Sequence, residues 1–572
     1  MSPFGETWRS RAIGVAVGAV VLSPLFTTTL PFQRALIVQA ALVLGITLVL
    51  LALGVFRKGW RDRVAVSRPV MLGVALYAAA ALHGMLVALV RGNNLKLAAG
   101  QLLAMGVLPL AAVAALGVST AVSWRAFATG LVGAVAAGTL VQGVAAGPAM
   151  VADFPGTRLM LGNGVSVSGA AAMALLFALA LTRSGRTPAR VLAWTATALT
   201  VVFIFLSGIR SQWLVLLLGL ACLVALALGA RALFSRRLAL VWVTTLAVVA
   251  GAVVVTAWWW ARPRPNLVSG TLDTSTGAGV ATATVRLPGG AVRVRGTLTC
   301  GGNGVAYIRL RGIGEAPTAG SEKVVWLMVA GAAPSEFGIV HRPLPAETAL
   351  AVRLEDPSNL GCRTTVFAVE SIAPGTLAEV VGGFAGMLRR PPDPGSGTTP
   401  GVAASDASVA FRLHETRAVM TAFREPSWPW WLVGQGLGAT FAFDTVGYDS
   451  RGNVVRYDRL NYIHNFYLFL LFKLGALGSL AALIAFALWL VTAVRGARAR
   501  PPGTADRWFL AAAAASWVTY LAWSVAAPEI LDFRLAPVWG LLVAATARSV
   551  GRPEVSGKTD PLSILQSPGQ TR

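Results

Sequence analysis

Apolar runs of about 20 residues recur along most of this chain, and each is long enough to cross a hydrocarbon core of about 30 Å as a helix. SRAIGVAVGAVVLSPLF near the start and HNFYLFLLFKLGALGSLAALIAFALWL near the end show the pattern. Helices that are apolar all round belong in lipid or deep in a bundle, which restricts the chain to a polytopic helical membrane protein. Composition agrees: of 572 residues 55% are hydrophobic and only 13% charged, and the mean hydropathy is +0.67. The first run lacks a small-residue cleavage site followed by a soluble domain, so it reads as the first span.

Twelve spans are predicted, at 12–30, 35–56, 69–90, 98–118, 126–147, 164–182, 190–207, 211–229, 238–260, 465–494, 508–526 and 533–549. With the N-terminus inside, the inner segments carry 22 Lys and Arg, whereas the short outer loops carry six: Arg34, Arg91, Lys96, Arg158, Arg210 and Arg534. By the positive-inside rule both termini are cytoplasmic and 261–464 lies outside. The formal charge of +24 is then a topology signal, and nucleic acid is not an expected partner.

The early spans are rich in Ala, Gly, Val and Leu, which suits close helix packing in lipid. His83 reads as a packing histidine, and Arg91 and Lys96 of the RGNNLK loop read first as neighbours of lipid phosphates and second as aids to substrate binding. Arg210, in the tight turn FLSGIRSQ, has two readings: headgroup snorkelling, or a planar guanidinium aimed at a phosphate. Trp258–Trp260 reads as an interfacial anchor.

Residues 267–373 alternate with period two, as in AVRVRGTLT, AYIRLRGI and ALAVRLE, and predict an all-β, sandwich-like insert. Cys300 and Cys362 both fall in this outer, oxidising segment, so a disulfide between them is expected, while Cys222 lies in a span and reads as packing. The linker 389–401, RRPPDPGSGTTPG, follows. Residues 406–424 have helical spacing and carry Arg412, Glu415 and Arg417. PWWLVGQGLG after them reads as an apolar, Gly-rich loop pressing on the membrane face. His464-Asn465 then opens a long apolar helix, where the histidine is either bonded to nearby backbone or placed to react.

These pieces, in this order, resemble the bacterial O-antigen ligase and O-antigen polymerase superfamily of membrane glycosyltransferases. The resemblance rests on the SGIR turn, on FRLHETR followed by a Trp/Pro stretch and a GxGxG turn, and on HNFYLFLLFKLGALG. A large outer loop between spans nine and ten completes it. It covers spans six to twelve, and the earlier spans by topology alone. The β insert departs from the family's smaller loop, and Lys473 stands where a carboxylate or amide is expected.

The resemblance implies a GT-C-like fold and a glycan donor on undecaprenyl pyrophosphate. An acceptor hydroxyl of a lipid, protein or polysaccharide attacks the anomeric carbon with inversion at the outer face of the bacterial plasma membrane. Arg210 and Arg412 match the family's arginines and would clamp the diphosphate, with Arg417 as second choice. His464 matches its histidine and would serve as base. Arg158, Asn465 and Lys473 complete the expected substrate-binding set, with Asn465 read as capping or orienting. No cofactor is expected: the chain has no Asp-x-Asp pair, no HExxH and no Walker A motif.

The predicted organisation is a bundle at 1–260, a β domain at 261–375, a linker with catalytic outer-loop helices at 376–464, spans at 465–549 and a cytoplasmic tail at 550–572. A polymerase of the same superfamily is the alternative reading. A transporter of lipid-linked sugars is another, although it would carry paired ionisable residues at mid-membrane and matching broken helices.

Overall fold

The structure, a computed structural model, describes residues 3–23, 32–55, 68–118, 124–153, 165–183, 187–207, 210–229, 266–274, 279–287, 292–302, 304–314, 322–329, 335–341, 347–356, 359–371, 407–424, 430–448, 454–525 and 529–550. The first helices are α1 (Pro3–Leu22), α2 (Phe32–Val55), α3 (Arg68–Val90), α4 (Leu95–Val118), α5 (Trp124–Asp153), α6 (Val165–Leu181), α7 (Thr187–Ser207) and α8 (Arg210–Leu228). The last are α11 (Phe466–Arg498), α12 (Ala505–Trp523) and α13 (Ala536–Val550). A helix coincides with every predicted span except 238–260, which lies outside the described residues. The tail from 551 and the linker also lie outside them.

Among the described residues four helical stretches are long and apolar enough to cross a membrane: Arg68–Val90, Leu95–Gly117, Trp124–Val141 and Phe466–Arg498. Their apolar residues do not all turn inward. Leu82, Leu86 and Leu89 of α3 and Leu477 and Leu480 of α11 are exposed, whereas Tyr77, Ala80 and Ala88 of α3 and Phe486 and Trp489 of α11 are buried. Helices with two apolar faces suit a bundle surrounded by lipid.

Packing centres on α3, α4, α11, α12 and α13. An aromatic cluster joins α3, α11, α12 and α13: Tyr77, Phe486, Trp489, Trp517 and Trp539 sit ring to ring, with centroids 5.3 Å apart for Tyr77–Phe486 and 4.3 Å for Trp517–Trp539. The buried Trp489 indole donates to the Val70 carbonyl at 3.2 Å.

Eight strands occupy 266–371: β1 (Asn266–Gly270), β2 (Val280–Arg286), β3 (Val292–Thr299), β4 (Gly304–Gly314), β5 (Glu322–Val329), β6 (Ser335–His341), β7 (Glu347–Glu355) and β8 (Arg363–Ser371). They form two four-stranded antiparallel sheets, ordered β1-β8-β3-β6 and β2-β7-β4-β5. Alternation explains the core: Val292 and Val294 of one sheet and Ile308, Leu310, Val352 and Leu354 of the other share one buried cluster. The intervening arginines turn away from it, and Arg309 and Arg353 both reach Glu355 at 3.1 Å. The Cys300–Cys362 disulfide is present.

Beyond the linker come α9 (Ala407–Arg424), the single turn α10 (Trp430–Val433) and the hairpin β9 (Phe441–Tyr448) with β10 (Val454–Leu460). The hairpin is an element that the sequence pattern left unassigned.

Candidate functional site

His464 stands at the foot of α11, and its position is set from α9. The Glu415 carboxylate, 1% exposed, accepts from the His464 backbone amide at 2.9 Å and contacts the imidazole Nδ1 at 2.9 Å. A carboxylate on Nδ1 holds the proton there and leaves the lone pair on Nε2. The imidazole is partly open, at 31% side-chain exposure. The Tyr462 ring packs edge-on against it, at a centroid distance of 4.8 Å.

Local sequence builds the rest. Asn465 is the N-cap of α11: its side chain accepts from the amides of Tyr467 at 3.0 Å and Leu468 at 3.1 Å, so its oxygen serves the helix. The Phe466 amide donates to the Ser524 carbonyl at 2.9 Å and the Tyr467 hydroxyl to the Leu521 carbonyl at 2.7 Å, which ties the helix start to α12.

The GQGLG segment, read from sequence as a loop on the membrane face, is instead buried among the helices. Gly434, Gly436 and Gly438 have φ of 86°, 84° and 72°, a region costly to other residues. A Cβ on Gly436 would stand 2.6 Å from the Ala88 amide nitrogen. The close approach lets surrounding helices satisfy the segment's backbone. Gln435 and Gly436 donate to the carbonyls of Phe472 and Lys473 at 2.8 and 2.9 Å, and Leu437 donates to Gly84 at 2.9 Å. Asn93 donates to the Gln435 carbonyl at 2.7 Å, and Gly438 donates to Gln101 Oε1 at 2.8 Å. Helix α11 makes room by breaking at Gly475, whose φ of 65° and ψ of −172° are not helical. Irregular backbone inside a bundle is tolerated where protein supplies its partners.

Lys473 belongs to this packing. It is fully buried, and its ammonium donates to the Ala439 carbonyl. His83 behaves as read from sequence, with Nε2 2.9 Å from the Val433 carbonyl.

Beside α9 and the glycine segment lies a cavity of about 730 Å³, lined by Arg91, Asn93, Asn94, Thr421, Gln435, Gly438, Thr440 and Arg459 among others. Its α9 wall, Ala418 to Ala422, starts one helical turn beyond Glu415. Arg91 stacks over the Trp430 ring at 4.2 Å, and partial burial lowers its pKa from the ordinary value. Arg459 Nε donates to Thr440 Oγ1 at 2.9 Å.

Of the residues picked from sequence, His464 is tied to α9 through Glu415, and Arg412 lies on that helix three positions before Glu415. Arg412 is half-buried. Arg417 is exposed, two residues from Glu415 and so turned to another face. Arg210 is the first residue of α8, and its side chain lies outside the description, as does Arg158 entirely. Sequence reasoning missed Glu415 as a partner of His464, and missed Arg459; the one carboxylate in the arginine-bearing helix at 407–424 was the available signal. No protein-family model matches the chain, and no curated protein matches it.

Proposed function

We propose that this protein is a metal-independent, inverting membrane glycosyltransferase of the O-antigen ligase type. It moves a glycan from undecaprenyl pyrophosphate to an acceptor hydroxyl at the outer face of a bacterial plasma membrane. The observation that carries the reading is the buried Glu415 carboxylate on Nδ1 of His464, at the mouth of a membrane-length apolar helix. In this reading all twelve spans cross the membrane, both termini are cytoplasmic, and 261–464 is extracytoplasmic with a sandwich-like insert.

The chemistry then runs as follows. The acceptor oxygen forms a bond to the anomeric carbon while the bond to the diphosphate oxygen breaks, and the electron pair leaves on the diphosphate. The acceptor proton passes to Nε2 of His464, while Glu415 holds the ring and offsets its new charge. General-base assistance of this kind is worth about 10² to 10⁴ in rate. Diphosphate is a good leaving group, so its needs are cationic: Arg210 and Arg412 are assigned to it, each worth roughly 3 kcal/mol of transition-state stabilisation.

The test compares wild type, His464→Ala and Arg210→Ala in the native host, reading lipid-linked glycan and surface polysaccharide. The expected result is normal insertion, accumulation of lipid-linked glycan and loss of surface glycan in both variants. Loss of attachment with chain length kept marks a ligase, and loss of long chains alone a polymerase. Normal surface glycan in both variants would end the transferase assignment.

A further inference from the structure

The cavity beside α9 has a chemical bias that the transfer reaction leaves unused. Its polar lining is donor-rich and holds no carboxylate: Arg91 and Arg459 face it, with Thr421, Gln435 and Thr440. Among the described residues neither arginine has an acidic partner; Arg91 is committed to the Trp430 ring and Arg459, through Nε, to Thr440. Gln435 is 6% exposed, and its Nε2 finds no hydrogen-bond acceptor among the described residues. A buried amide donor left without a partner costs roughly 1–3 kcal/mol, so the site is built for an acceptor that arrives with a ligand. Thr440 Oγ1 accepts from Arg459, which leaves its hydroxyl proton available to donate. At about 730 Å³ the space suits more than a lone ion.

We propose that this cavity binds an acidic sugar, a hydroxyl-rich unit bearing a carboxylate or phosphoryl group. Arg91 and Arg459 take the anion, and Gln435, Thr421 and Thr440 take ring and hydroxyl oxygens. The site starts one turn along α9 from Glu415, so under the transferase reading the bound sugar belongs to the glycan presented to His464. That assignment to the glycan rests on the transferase reading; the binding itself rests on the cavity alone.

The experiment is calorimetric titration of the full-length protein in a non-ionic glycol-ether detergent. Ligands are a glucuronate-containing disaccharide, glucose 1-phosphate, the neutral glucose disaccharide and inorganic phosphate. The acidic sugars are expected to bind at least tenfold tighter than the neutral disaccharide and than phosphate. Arg459→Gln and Gln435→Met should each weaken them about tenfold or more, whereas Lys96→Gln, outside the cavity, should leave them unchanged. Because Arg459 and Thr421 are exposed, Arg459→Gln and Thr421→Val test the site without disturbing the buried glycine segment.

Equal affinity for the neutral disaccharide, phosphate bound as tightly as glucose 1-phosphate, or no change in either the Arg459 or Gln435 variant would each overturn the proposal. Displacement of the acidic sugar by equimolar short-chain phosphatidylglycerol would assign the cavity to lipid headgroups instead, and also overturn it. Acidic-sugar binding by a wild-type protein that transfers no glycan would keep the site and sink the transferase reading. Transfer without acidic-sugar binding would do the reverse.

Discussion

At the scale of single residues, the decisive contact is between side chains 49 positions apart in sequence. A lone histidine at a helix start has many uses, and the buried carboxylate narrows them. In the proposed transferase Glu415 is a positioning residue, which holds the imidazole through Nδ1 and does not itself meet the reacting atoms. Hydrogen bonds to charged groups are worth about 1.5–3 kcal/mol, so Glu415→Gln should lower kcat about 10- to 100-fold with KM nearly unchanged. Combining it with His464→Ala should add little beyond His464→Ala alone, since the two act as a unit. A transfer assay with purified protein and lipid-linked donor decides this. A fully additive double variant, or an effect confined to KM, would remove Glu415 from the positioning role. Asn465, in contrast, is accounted for by its two capping bonds, and Asn465→Ser should keep both the helix and most of the transfer.

At the scale of elements, two devices hold the structure around the site and the β segment. One is the glycine segment threaded between α3, α4 and α11. Because a Cβ on Gly436 would press on rigid backbone rather than on a flexible side chain, Gly436→Ala cannot be absorbed locally. The variant is expected to insert in the membrane yet lose both the cavity's ligand and transfer; binding as in the wild type would show that the segment's close docking is dispensable. The other device is the disulfide in the β segment, which closes a loop 62 residues long. By loop-closure entropy that bond is worth about 4 kcal/mol, so Cys300→Ser should lower the unfolding midpoint of the β segment markedly. Differential scanning calorimetry under oxidising and reducing conditions is the check, and the wild type under reduction should match the variant.

At the scale of the whole molecule, the chain is a set of apolar helices with a β segment, a helix and a hairpin between α8 and α11 in sequence. The charge asymmetry predicts that everything from 261 to 464 is outside. Single cysteines placed at Thr299, in the β segment, and at Arg498, at the inner end of α11, give the test in a Cys222→Ser background. A membrane-impermeant maleimide should label the first in intact cells and the second only after permeabilisation. The reverse pattern would invert the topology and place His464 away from any extracytoplasmic acceptor.

Periodicity made the helices and the β segment legible, because a chain in lipid must satisfy its backbone within each helix and an alternating strand must put one face in a core. The charge distribution set the expected orientation, and the two cysteines of the β segment gave their pairing. His464 and its cap were legible too, since capping is a local rule. What the sequence left open is everything that depends on long-range approach. That includes Glu415 as partner of His464, Arg91 and Arg459 on one cavity, and Lys473 spent on a loop carbonyl. The fate of GQGLG is the clearest case. Its glycines announce unusual backbone, but a surface turn and a buried crossing need the same residues. The tertiary structure chose the crossing, because the break of α11 at Gly475 and the donors and acceptors of α3 and α4 are present only when the bundle is assembled.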